Sequence, residues 1–188
     1  GASSGHLGQR APSHMRVTAS APGSVMITGE HAVVYGHPAI VAAIEQRAEV
    51  SVEALLGETV EIRSAFGRVE TTLSALKPEG ALRFVNACIL AAAPSNGVSV
   101  TVTSDIDPTL GLGSSAAVTI AALGAMAQLT GQEMEIHAVA LAIVRDLQGR
   151  GSGADLAASI HGGMVRYQLD TAPTSLPLPP ALALKYVG

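Results

Sequence analysis

Cysteine is nearly absent. Cys88 is the only one in 188 residues, so no intramolecular disulfide can form. It reads as a small buried hydrophobe in a reducing compartment, and the expected location is cytoplasmic. Tryptophan is missing and aromatics make up 3%. The core must come from Ala, Val, Leu and Ile, whose small side chains let helices approach a sheet closely. Charged residues are 14% against 48% apolar, the reverse of what disorder requires. No basic block offsets the net charge of -4, so neither nucleic acid nor an anionic membrane is indicated as a partner. No apolar run reaches the roughly 18 residues that span a bilayer. The opening residues also lack a secretory-signal pattern.

What is present reads as one domain with a leader and a tail. Residues 1–14 are rich in Gly, Ser, His and Pro ahead of Met15, and are expected to lie outside the fold. Arg16 to Ala21 alternates as a strand, and Ser24 to Thr28 reads as a second one after a turn at Pro22-Gly23. Glu30 to Gly36 is a loop candidate. Pro38 to Ile44 is continuously apolar, and Ala48 to Ala54 alternates. Thr59 to Ile62 and Arg68 to Leu73 predict a hairpin around Phe66-Gly67. Leu82 to Ala93 has helical spacing and stops before Pro94. Val98, Val100 and Val102 share one face of a strand. Ser114 to Leu129 and Glu133 to Leu147 predict helices, and Asp155 to Ile160 a short third one. Met164 to Leu169 alternates again. The fold class is α+β, a mixed sheet with Ala-rich helices, over residues 15–172. Residues 173–188 read as a Pro-rich linker and the start of a further domain that is missing here, with a strand over Ala181 to Val187.

The run Gly111-Leu112-Gly113-Ser114-Ser115-Ala116-Ala117 lies between a strand and a helix. Glycines let backbone approach a ligand, and a helix start offers unpaired N–H groups and a positive dipole end. Together these make an anion site. Ser114 and Ser115 add hydroxyls for phosphate or Mg2+. The bland alternative is a tight turn with a serine N-cap. A dinucleotide fingerprint also fits the letters through Gly111, Gly113 and Ala116, with Glu133 or Glu135 as its acid. Those glutamates open a helical pattern instead of ending a strand, which disfavours it. No Lys-Ser/Thr pair follows the glycines, so this is not a Walker A loop.

Two further clusters bracket the loop. Ala21 to Gly36 carries Glu30 and His31 between small residues, a solvated turn or a substrate contact. Gly149 to Asp155 packs glycines around Ser152 and Gly153 ahead of Asp155. The helix dipole explains an Asp there, but not the glycines before it.

In this order the three clusters resemble the GHMP kinase superfamily of small-molecule kinases. Gly29-Glu30-His31-Ala32-Val33-Val34-Tyr35-Gly36 is similar to the mevalonate kinases, and Gly111 to Ala117 to the superfamily's phosphate loop. Gly151 to Gly163 is similar to the segment carrying its catalytic aspartate. The resemblance covers about residues 16–170. It implies an N-terminal domain of the ribosomal protein S5 domain 2-like type with a left-handed βαβ unit. It further implies ATP over residues 111–117, Mg2+ near Ser114 or Ser115, and a small-molecule substrate held by Ser24, Glu30, His31, Ser152 and Gly153. Asp155 would accept the hydroxyl proton during transfer of the γ-phosphoryl group. A mevalonate-like substrate is expected first, then phosphomevalonate or a sugar. A nucleotide-binding module without kinase activity is the alternative of another class. Oligomeric state stays open, a homodimer included. Three departures stand out. Ser24 replaces the usual Lys, with Arg145 or Arg150 as candidate substitutes. Val144 replaces the metal-binding Glu, and Asp146, two residues on, points about 200° away on a helix. The C-terminal domain, with its own glycine motif, is absent.

Overall fold

The computed structural model describes residues 15–179. The expected leader at 1–14 and the strand expected over 181–187 lie outside them.

Seven strands form one mixed sheet: β1 (Arg16–Thr28), β2 (Ala39–Ala54), β3 (Thr59–Ser64), β4 (Gly67–Thr72), β5 (Val98–Ser104), β6 (Met164–Tyr167) and β7 (Thr174–Leu176). Its path runs β4-β3-β5-β2-β6-β7, with β1 antiparallel to β2. The long strand β2 organises the sheet. Residues 48–53 pair on both edges, with β1 and with β5, and Ala39 to Ala42 pair with β6. Only β3 and β5 are parallel, joined through β4 and helix α1 (Arg83–Ala92).

Two pairs of expected strands are single strands. Pro22-Gly23 does not turn the chain. It shifts the β1–β2 register between Pro22 and Ser24, and a second shift follows between Met26 and Thr28. Such bulges bend a strand without ending it. The hairpin at Phe66-Gly67 forms as the alternation predicts. Part of the Pro-rich stretch, Thr174–Leu176, pairs with β6.

Helices α2 (Ser114–Thr130), α3 (Ile136–Gln148) and α4 (Ala154–His161) complete the fold. Helix α2 is the hub, touching β1, β2 and the other three helices. It is apolar nearly all round, as a helix packed on several sides must be. Ala116, Ala117, Ala121, Ala122 and Ala125 are buried along it and meet Val50, Val52, Val98 and Val100 of the sheet in the main core. A smaller core joins Val33, Val41, Ala154, Ala157, Ala158, Val165 and Tyr167 beneath α4. Helices α2 and α4 thus start side by side, both preceded by glycines, at the bent part of β1.

Candidate functional site

Helix α2 begins without a side-chain cap. Its N-cap is Gly113, in the left-handed region at φ 66°, and the first helical bond runs from Ala117 N–H to Gly113 C=O. The serine cap offered by the bland alternative does not form. The N–H groups of Ser114, Ser115 and Ala116 therefore lie ahead of the intrahelical ladder, at the positive end of a 17-residue helix.

Gly111, Leu112, Gly113, Ser114 and Ser115 line one cleft of about 450 Å³, together with Asp155. That size suits a small organic ligand. The rest of the cleft is mostly apolar: Phe66 from the hairpin turn, Leu82 just ahead of α1, Phe84 and Val85 from α1, Val102 from β5, and Pro108. These wall residues carry no motif and escape a sequence reading. The side chains of Ala116 and Ala117 are buried in the core below the loop and do not line the cleft, so only backbone there could reach a ligand.

Ser24 links the pieces. It is fully buried on β1. Its backbone N–H donates to the Leu112 carbonyl at 2.9 Å, and its hydroxyl donates to Oδ1 of Asp155 at 2.9 Å. A Cβ on Gly113 would land on the Ser24 hydroxyl. The glycine loop, β1 and the start of α4 thus meet within contact distance of one serine.

Asp155 opens onto the cleft and keeps solvent contact there, while protein crowds its other sides. This desolvation holds its carboxyl above the ordinary carboxylate value; the Ser24 hydrogen bond offsets part of the rise and the negative charge of Glu30 adds to it. No cation figures among these influences. Arg145 donates instead from Nε to the Gly151 carbonyl at 3.1 Å, so it does not stand in for a lysine at position 24. Removing the Ser24 hydroxyl (Ser24→Ala) should raise Asp155 further. In an activity assay the acidic limb of the pH–rate profile is expected to move upward; an unmoved limb would show that the bond is not made in solution.

Glu30 and His31 are exposed on the turn after β1 and do not line the cleft. Ser152 and Gly153 act through their carbonyls, which accept bonds from Tyr167 and His137. Val144 packs against Gly151, and Asp146 is exposed on α3, outside the cleft lining. Among the described residues no cluster of three His, Cys, Asp or Glu could hold a metal alone. Ser114, Ser115 and Asp155 do offer oxygen donors around one cleft. The two serine hydroxyls fit Mg2+ arriving on phosphates, since this ion keeps water and phosphate oxygens among its ligands.

Residues 78–163 match the family model for the N-terminal domain of GHMP kinases. A mevalonate kinase of Thermococcus sibiricus is 35% identical, with 82% of this chain and 52% of that protein covered. One from Methanothermobacter thermautotrophicus is 37% identical, over 80% of this chain and 50% of its own. The crystal structure of Methanococcus jannaschii mevalonate kinase superposes with a TM-score of 0.77 at 23% identity, covering 88% of this chain and 56% of that one. The chain thus spans about half the length of the curated relatives it matches. Helix α2, its glycine loop and Asp155 all fall inside the matched residues. Over residues 78–163 the chain is thus similar to the N-terminal domain of GHMP kinases, and over 80–82% of its length to mevalonate kinases.

Proposed function

We propose that this chain is the ATP-binding half of a small-molecule kinase that transfers a γ-phosphoryl group to a hydroxyl of a mevalonate-like substrate. One observation carries the reading: the uncapped, glycine-led start of α2 opens into the same cleft as the carboxyl of Asp155. An anion site and a proton acceptor therefore face one space, as phosphoryl transfer requires.

In this reading the triphosphate lies on the N–H groups of Ser114, Ser115 and Ala116, and the nucleoside lies along Phe66, Leu82 and Val85. Ser114 and Ser115 would hold Mg2+ on the phosphates, where it would supply neutralising charge. Asp155 accepts the proton of the attacking hydroxyl, and Ser24 holds its carboxylate in line. Glu30 and His31 border the substrate from the turn after β1.

Titration calorimetry with ATP-Mg and with NAD tests the site. ATP binding without NAD binding is expected; NAD binding alone would overturn the reading. Turnover of mevalonate is then assayed on the full-length protein and on these 188 residues, with the shorter piece expected to turn over poorly. The pH dependence has a definite sign. Asp155 must be ionised to act, so kcat should fall as pH drops through its raised value. Stability runs the other way. Between the ordinary and the raised value the folded chain keeps a proton that the unfolded chain has lost, so folding stability declines as pH rises through that window. Rate and melting temperature recorded across the same buffers check both slopes.

A further inference from the structure

The segment that delivers Asp155 is held by its carbonyl groups. Three successive carbonyls precede α4, those of Gly151, Ser152 and Gly153, and each meets a side-chain donor. Arg145 Nε donates to Gly151 at 3.1 Å, Tyr167 OH to Ser152 at 2.6 Å, and His137 Nε2 lies 3.1 Å from the Gly153 oxygen. A carbonyl only accepts, so His137 must carry its proton on Nε2. Arg145 and His137 come from α3, and Tyr167 ends β6. The tyrosine and histidine rings also touch, with centroids 5.7 Å apart. Gly153 completes the fit. It lies at φ 86°, and a Cβ there would stand 2.8 Å from the tyrosine oxygen and 3.2 Å from the imidazole. At its other end, α4 is tied to β1 by the Ser159 hydroxyl on the Pro22 carbonyl at 2.8 Å.

Fold stability alone does not account for three donors on one short turn. The turn stands immediately before the first turn of α4, where Asp155 must meet Ser24 at 2.9 Å. A displacement of 1 Å at a reacting group costs about a hundredfold in rate. We propose that Tyr167, His137 and Arg145 are positioning residues, which fix the turn 151–153 so that Asp155 faces the phosphate loop in the productive geometry. This rests on the kinase reading above. None of the three lines the cleft, so they act through Asp155 and not on ATP.

The test uses the full-length protein, with mevalonate and ATP, and rates referred to the folded fraction measured by circular dichroism. Tyr167→Phe keeps the ring and removes the donor; His137→Phe removes a donor, and His137→Gln restores one. The expected result is kcat lowered about tenfold or more in Tyr167→Phe and His137→Phe, with KM for ATP within about twofold and His137→Gln recovering most of the loss. Unchanged kcat per folded molecule would overturn the proposal, as would equal losses in His137→Phe and His137→Gln. If Tyr167→Phe does not fold, the histidine pair decides alone. Wild-type protein without turnover overturns the kinase reading and the positioning role with it, whereas an active wild type with unaffected variants overturns only the latter.

Discussion

Asp155→Asn is expected to lower phosphoryl transfer about a thousandfold while ATP affinity stays within about threefold, the signature of a lost proton acceptor. Asparagine has the shape of aspartate, and its carbonyl oxygen can still accept the Ser24 hydroxyl that now bonds Oδ1 at 2.9 Å. The link between β1 and α4 therefore survives. What disappears is the capacity to take a proton from the substrate. In the proposed reading ATP is held by the start of α2, which Asp155 does not cap. Stability gives a second, opposite expectation. The carboxylate is desolvated by its surroundings and feels the negative charge of Glu30, and the Ser24 hydrogen bond offsets only part of this, so its ionised form is disfavoured in the fold. A neutral amide escapes those costs. The melting temperature of the variant at neutral pH should equal or exceed that of the parent. Single-turnover rates, ATP titration and thermal melts on the same samples check all three. Wild-type turnover in the variant would remove Asp155 from the chemistry.

How far the sequence reveals this site depends on the range of each signal. The hairpin of β3 and β4 and the valine face of β5 are legible because alternation and turn residues act over a few neighbours. The glycine loop ahead of α2 is legible for the same reason, since strand, glycines and helix follow in order. The continuity of β1 is not. Pro22 and Gly23 signal a turn locally, but pairing with β2 along the whole strand absorbs them as a register shift. Past that shift, Ser24 sits against the glycine loop, its N–H donating to the Leu112 carbonyl. The bond from Ser24 to Asp155 spans 131 positions, and no local pattern could announce it. Phe66, Leu82, Phe84 and Val85 read as ordinary hairpin and helix residues; only packing makes them a cleft wall. Tyr167 held one clue. It ends an alternating strand and is 3% exposed, and a buried tyrosine hydroxyl needs an acceptor. Which acceptor it finds is a tertiary matter.

The same contact between β1 and the loop sets the second large effect, at Gly113. Gly113→Ala should abolish measurable ATP binding and destabilise the fold by roughly 2–4 kcal/mol, against about 1–2 kcal/mol for Gly111→Ala. Both glycines lie in the left-handed region, at φ 66° and 67°, so both substitutions carry the same backbone strain. They differ in what a side chain would meet. At Gly111 nothing lies within 4 Å. At Gly113 the new Cβ falls on the Ser24 hydroxyl, with the Ser24 nitrogen at 3.1 Å. Ser24 cannot retreat, being fully buried and held to Leu112 and Asp155. The loop must therefore lift from β1, which tilts the first N–H groups of α2 away from the cleft and lets Asp155 lose its hydroxyl partner. Thermal melts and ATP titration on the two variants isolate the contact, since strain cancels between them. For a chain of this size the difference corresponds to several degrees in melting temperature, at about 2–4 °C for each kcal/mol. Equal losses at the two positions would mean that backbone strain alone governs the loop, and that Ser24 is not the point at which it is anchored.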